Sequence, residues 1–360
     1  MAVITLRDPT SIYNSQNRLF REGVELEKGV VIIEDFLERN EKFLEEELQL
    51  YTVYPDIYLD TIKPIDSQFD LFPYQRLFLR SLMRYNQIYI TATRAASKSF
   101  LSVLGLYLQC VFIPNHKCSI VAPVKTQGVK IMRQKVEEII KIWPLLEKEL
   151  EVFMGKPHMN FSKDVAELYF KNGSKFTCEG ATDSSRGLRL HATFLDEVRD
   201  ADGDIISEVI LPQLNVSRRD ANGLVNPYEV CNQQVIAGTS AGMKSSYAYS
   251  LLIETMIQAI IDPKRAFVMG LDYRIPAQHG LVDKKHVEKL RMSSAYNEMI
   301  FASEFMGTWA GGSEESWFDF EKLSKYRTKK NPEFTQKFRN QQNCFYLLSV
   351  DKILICPFTK

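Results

Sequence analysis

The sequence predicts an α/β fold, a mostly parallel central sheet flanked by helices, on three observations. Short apolar runs of strand length recur along the 360-residue chain, separated by segments with helical spacing. One run, Ile88-Tyr89-Ile90, leads through Thr91 into a loop of small residues and then into Lys98-Ser99 and a second apolar run, Leu101-Ser102-Val103-Leu104. Further on, Ala192-Thr193-Phe194-Leu195 ends in two adjacent carboxylates, Asp196 and Glu197.

A strand, a tight small-residue loop, Lys-Ser and a helix form the layout of a phosphate-binding P-loop, G-x-x-x-x-G-K-[ST]. Ala92 and Ser97 stand at the two glycine positions, with Thr93, Arg94, Ala95 and Ala96 between them and Lys98-Ser99 after. Together with the Asp196-Glu197 strand end, this pattern predicts a P-loop nucleoside triphosphatase that uses ATP and Mg2+. Loop N–H groups and the positive end of the next helix attract phosphate oxygens. Lys98 reaches the outer phosphates, and Ser99 places a hydroxyl on Mg2+. Asp196 holds that ion from the second strand, usually through water, and Glu197 orients and deprotonates the attacking water. Taken singly, Lys98 also reads as a surface lysine, and Asp196-Glu197 as a helix cap with a first-turn acid. A serine at position 97 has a cost if the backbone there needs positive φ, roughly 1–2 kcal/mol.

The remaining elements follow in chain order. Residues 1–64 read as a small helical N-terminal appendage, with a helix from Glu34 to Leu50 whose apolar face is Phe36, Leu37, Phe43, Leu44 and Leu48. Pro73 suits a first helical position, Asp70 is a nearby cap, and a helix over 74–85 leads to the P-loop strand. Gln75 either reads the edge of an adenine stacked on an aromatic ring or is a solvated residue of that helix start. The apolar stretch from Phe100 to Pro114 contains Gln109 and falls short of the ~20 residues of a membrane span, so it reads as a buried helix. Cys118–Ala122 is a strand, and an amphipathic helix runs from about Lys125 to Trp143. Asn172-Gly173, between Val165–Phe170 and Lys175–Glu179, signals a hairpin. Residues 203–219 are expected to be helical. A buried strand over Val235–Ser240 ends in two hydroxyls, Thr239 and Ser240; Ser246–Ile261 is helical and Phe267–Gly270 a strand. Ligands of such sheets bind at the carboxyl ends of strands, where Lys98, Asp196 and Thr239 all fall.

With 45 basic and 45 acidic residues the formal net charge is zero, so any nucleic-acid surface has to be local. A basic run from Lys322 to Arg339 either touches DNA phosphates or is a solvated linker. The six cysteines, Cys110, Cys118, Cys178, Cys231, Cys344 and Cys356, form no C-x-x-C pair. Their scatter, and that of the five histidines, argues against a zinc site or a disulfide framework and suits a reducing cytoplasm. Met1-Ala2-Val3-Ile4 is too quickly interrupted for a signal peptide.

Taken together, these motifs resemble the large terminase subunit of tailed bacteriophages, the motor that packages DNA into the procapsid. The resemblance rests on Phe72-Pro73-Tyr74-Gln75-Arg76, similar to the family's adenine motif, and on Arg94 within a degenerate loop. Ser185-Arg186-Gly187-Leu188-Arg189 ahead of Phe194-Leu195-Asp196-Glu197 adds to it, as does Ile236-Ala237-Gly238-Thr239-Ser240-Ala241-Gly242, which looks like the coupling motif. Phe305-Met306-Gly307-Thr308-Trp309 is similar to the closing stretch of the ATPase domain. The resemblance spans roughly residues 65 to 350 and implies an ATPase domain over 65–310 and a linker over 311–343.

The same resemblance implies roles. Arg94 joins Glu197 as a catalytic residue, stabilising charge on the transferred phosphoryl group, which a guanidinium suits by binding two oxygens at once. Thr239 and Ser240 become sensors that link phosphate loss to movement, and Arg186 a phosphate or subunit contact. The implied partners are double-stranded DNA, a portal protein, a small terminase subunit and further copies of the chain in a ring, in the cytoplasm of an infected cell and without a membrane. Large terminases usually carry an RNase H-like nuclease domain whose first strand ends in an aspartate. Phe345-Tyr346-Leu347-Leu348-Ser349-Val350-Asp351 looks like that strand, and the chain stops nine residues later. Residues 344–360 are therefore expected to be a truncated first strand, Asp351 a vestigial nuclease metal ligand, and DNA cleavage absent. A helicase-like ATPase and a nucleotide-binding assembly protein without turnover remain open as alternatives.

Overall fold

The computed structural model describes residues 47–219, 223–226, 229–292 and 297–311. Its strands are β1 (Gln87–Ala92), β2 (Lys117–Ala122), β3 (Val152–Phe153), β4 (Lys156–Pro157), β5 (Met159–Phe161), β6 (Ala166–Tyr169), β7 (Lys175–Gly180), β8 (Ala192–Asp196), β9 (Gln234–Thr239) and β10 (Ala266–Leu271). Eight of them form one sheet in the order β10-β1-β9-β8-β2-β7-β6-β5, while β3 and β4 pair separately. Every pairing from β10 through β7 is parallel, and β7-β6-β5 continue antiparallel around the expected Asn172-Gly173 turn.

Period-two side-chain alternation divides the core into two layers. On one face Ile88, Ile90, Cys118, Ile120, Ala192 and Phe194 join the larger cluster. It is covered by helices α1 (Pro55–Ile62), α2 (Pro73–Leu82), α3 (Lys98–Phe112) and α4 (Lys125–Ile142). On the other face Tyr89, Val121, Leu195 and Ala237 pack beneath helix α5 (Tyr247–Ile261) and the segment around Ile206–Ile210. Helix α3 lies between α2, α4 and the sheet, which explains why its sequence is apolar nearly all round. At Gly105 a Cβ would meet Leu82 Cδ1 at 2.0 Å, so any larger residue there has to displace the buried Leu82 side chain of α2. After β10 come α6 (Lys284–Arg291) and α7 (Glu298–Glu304), held on a small cluster of Tyr273, Val287 and Phe301. Among the described residues no helix is long and apolar enough to cross a membrane.

Two expectations are corrected. Asp70 does not cap α2: it pairs with Lys63, and the N-cap is Phe72, whose N–H donates to Gln75 Oε1 at 2.9 Å. Residues 203–219 are not one helix. A short α-turn passes into a π-turn at Ile206–Ile210 and a 3-10 turn at Leu211–Leu214, and the helix stops there. Pro212 brings no N–H to that ladder, so the regular bonding pattern is broken where it falls. The expected Glu34–Leu50 helix lies outside the described residues except for 47–50, which are helical. The expected linker beyond 311 and the 344–360 strand with Asp351 also lie outside them.

Candidate active site

The loop from Ala92 to Ser99 turns tightly between the end of β1 and the start of α3. Ala96 N–H donates to Thr93 O at 3.3 Å, and Thr93 N–H ties the loop to Leu271 O of β10 at 3.2 Å. The turn needs two left-handed residues, Ala95 (φ 63°) and Ser97 (φ 61°). Ser97 is the N-cap of α3, and no side chain caps that terminus. The first amides of a 15-residue helix are thus directed toward the loop's concavity, the arrangement that attracts anions.

Lys98 is buried and reaches across the sheet. Strand β9 separates β1 from β8, with Thr91 beside Thr239 and Asp196 beside Gly238. A Cβ at Gly238 would meet Phe194 Cε2 at 2.7 Å and Lys98 Cδ at 3.2 Å, so glycine opens the path that the lysine follows. Lys98 Nζ ends 2.6 Å from Glu197 Oε1. Ser99 Oγ donates to Asp196 Oδ1 at 3.3 Å. The second oxygen of Glu197 accepts from Thr239 Oγ1 at 3.3 Å and from Ser240 N–H at 3.4 Å. Glu197 itself sits just past β8 in a left-handed conformation, φ 46° and ψ 52°. Lys98, Ser99, Asp196, Glu197, Thr239 and Ser240 therefore converge at the carboxyl ends of three neighbouring strands.

The two carboxyls are driven apart electrostatically. Burial pushes the Asp196 carboxyl up, Glu197 adds to this, and Lys98 opposes it; the net displacement is upward. Burial also works upward on Glu197, but the Lys98 ammonium, Arg199 and the Ser240 N–H outweigh it and hold that carboxyl below its ordinary value. Ser99 and Asp196 present a hydroxyl and a carboxylate, hard oxygen donors that suit Mg2+, and a buried carboxyl raised in this way is one that a divalent cation would stabilise.

The loop faces a cavity of about 760 Å3, a volume suited to a nucleotide. Its walls include residues 92–100, Phe72 and Gln75 on one side, Lys135 and Glu138 of α4 on another, and Glu197, Ser240 and Leu281. Gln75 is buried, with Oε1 engaged by the Phe72 N–H; the Phe72 ring stacks on His279 at 4.3 Å between centroids. Arg94 lines the same cavity, and its Nε is paired with Glu304 Oε2 at 2.7 Å. Arg186 lies apart, exposed and paired with Asp183. The sequence reading missed Glu304, Arg199, Lys135, Glu138 and His279. None of these carries a local motif, and only Arg199, two residues beyond Glu197, lies close in sequence to a recognised one.

No family model matches the chain, and no curated protein matches it in sequence. Among solved structures it is similar to the ATPase domain of the large terminase of Thermus phage P74-26, at 16% identity and a TM-score of 0.47 over 67% of this chain and 95% of that one. It is also similar to the large terminase of a second thermophilic bacteriophage in complex with ADP, at 13% identity and a TM-score of 0.46 over 66% of this chain and 54% of that one. A weaker likeness, TM-score 0.21 and 12% identity, is to the Phi-28 gp11 DNA packaging motor, over 57% of this chain and 53% of that one.

Proposed function

We propose that this chain is an ATP-hydrolysing, Mg2+-dependent motor subunit that packages double-stranded DNA. The observation that carries the ATPase reading is the Lys98–Glu197 contact over Gly238 in the wall of the cavity, with Ser99 paired to Asp196 alongside. Loop amides and the start of α3 bind phosphates, and Lys98 turns from Glu197 toward the outer ones. That turn frees Glu197 Oε1 to take a proton from water, and the lowered position of its carboxyl keeps it ionised at neutral pH. Ser99 and Asp196 hold the Mg2+, which neutralises phosphate charge when bound. Phe72 and Gln75 contact the base, and Arg94 supports the transferred phosphoryl group. Because Thr239 and Ser240 touch the same carboxylate as Lys98, a change at Glu197 is passed directly to β9 and the loop after it. The packaging assignment rests on the motif order at 72–76, 94–99, 194–197, 236–242 and 305–309, and brings with it a portal protein, a small terminase subunit and a ring of copies as partners.

Glu197→Gln tests the reading. The amide cannot accept the proton, so turnover should fall by about 10^2-fold or more while nucleotide binding persists. Steady-state phosphate release and binding of a fluorescent ATP analogue, with and without DNA and portal, separate the two quantities. Wild-type turnover in this variant would overturn the assignment.

A further inference from the structure

Glu304, the last residue of α7, is a carboxylate shared by two arginines from different parts of the fold. Its side chain is only 11% exposed. Arg94 Nε of the phosphate loop stands 2.7 Å from Oε2, and Arg199 Nη2 stands 2.7 Å from Oε1. The two cations differ in how they are held. Arg199 is 18% exposed and also donates from Nη1 to Ala241 O at 2.9 Å, with Asp200 Oδ1 3.6 Å from its Nε. Arg94 is 73% exposed and lines the cavity. The anchored arginine is Arg199, and the one with room to move is Arg94.

We propose that Arg199 is a positioning residue: it keeps Glu304 neutralised, so that Arg94 is free to leave that carboxylate and turn into the cavity. The inference rests on the reading of the site as an ATPase in which Arg94 acts on the transferred phosphoryl group. A carboxylate this buried is destabilising without a cation. While Arg199 stays, the departure of Arg94 leaves Glu304 paired and hydrogen-bonded. Without Arg199, Arg94 becomes the partner that the carboxylate cannot lose, and it is held away from the phosphates. Burial pushes the Glu304 carboxyl up, but the two arginines prevail and hold it below its ordinary value, so at neutral pH the group they share is an anion. Arg199 also links the turn after Glu197 to Ala241 behind Thr239-Ser240, which puts the neutralising charge on the elements that surround the catalytic carboxylate.

The test uses the full chain, phosphate release for kcat and a fluorescent ATP analogue for affinity. Arg199→Ala should lower kcat about tenfold or more while nucleotide Kd stays within about threefold. Removing the charge that traps Arg94 should restore the rate: the Arg199→Ala/Glu304→Gln double variant should come within about threefold of Glu304→Gln alone. Should Arg199→Ala fail to fold, Arg199→Gln, which removes the charge and keeps more of the side chain, makes the same comparison. Wild-type kcat in the Arg199 variant would overturn the inference. So would a loss that persists in the double variant, because neutralising Glu304 would then have released Arg94 without effect; urea midpoints of the Arg199→Ala variant show in parallel that the loss of rate is not a loss of fold. Arg94→Ala separates the two layers. If it turns over at the wild-type rate, the role of Arg94 itself is wrong; if it is slow while the Arg199 variant is not, only the inference fails.

Discussion

Ser97 and Ala95 hold backbone angles that glycine adopts freely and other residues resist, and they do so in the tight loop between β1 and α3. The left-handed region costs a non-glycine residue roughly 1–2 kcal/mol, and glycine returns about 0.5–1 kcal/mol as chain entropy. Ser97→Gly should therefore stabilise the fold by about 0.5–1 kcal/mol, read as a higher urea midpoint at unchanged slope. A lower midpoint would mean that the serine side chain contributes more than its strain. Position 97 was legible because it aligns with a glycine of the motif; the same strain at Ala95 was not, because no motif position marks it. Lys98, Ser99, Asp196 and Glu197 were legible for a similar reason: each lies next to a strand end that the sequence announces. Glu304 was not, because its partners Arg94 and Arg199 are brought to it only by the packing of α7 on Tyr273 and Val287 and by the Ser303 hydroxyl bond to Ala241 O.

Helix α1 falls in the segment that the sequence suggested as an appendage, yet Leu59 is fully buried in the main core and its carbonyl accepts from Trp143 Nε1 at 3.0 Å. Asp56 on the same helix is fully buried and takes Arg80 Nε at 2.8 Å and Nη2 at 2.7 Å, with Arg76 Nη1 at 3.3 Å. Asp56→Ala leaves Arg80 without its anion, while Arg76 keeps Asp60, and should cost about 1.5–3 kcal/mol, measured by urea unfolding. A loss below about 1 kcal/mol would show that α1 is only loosely attached. A long apolar stretch made α3 readable, and helical spacing α4 and α5, each within a few residues of its ends. The segment 203–214 was misread because its apolar spacing fits α-, π- and 3-10 turns alike, and only its packing against β8 and α5 chooses between them. Asp70 was misread as a cap because the competing partner, Lys63, is seven residues away and outside any capping pattern.

The molecule as a whole buries two imidazoles far from the candidate site. His116 is fully buried with neither ring nitrogen hydrogen-bonded, and its ring lies 5.5 Å from that of His191, which accepts the Lys117 N–H at 3.0 Å. Burial, then neighbouring positive charge, lowers His191 from 6.5 to about 4 and His116 from 6.5 to about 3. The unfolded chain takes up protons below pH 6.5 that the folded chain refuses. Stability is thus full above that pH and is lost as pH falls, down to about 4 for His191 and about 3 for His116. Each imidazole costs about 1.4 kcal/mol per pH unit in that window. Between about pH 7.5 and 5.5 the chain should lose about 2–3 kcal/mol, and His191→Gln about half as much, by urea midpoints at the two pH values. Equal losses in the two proteins would remove His191 from the account.

The strand order has a consequence for how the chain is made. β1 is the first strand of the sheet to be synthesised, and its two neighbours, β9 and β10, are the last. A chain growing from its N-terminus carries the phosphate loop long before anything holds that loop in place. Lys98 and Glu197 follow two strands, β1 and β8, that are not neighbours, and β9 between them fixes one against the other. The candidate site therefore closes only when β9 is in place, and a fragment of the first two hundred residues, which has Lys98, Ser99, Asp196 and Glu197 but lacks Thr239, Ser240 and Glu304, should bind an ATP analogue more weakly than the full chain does.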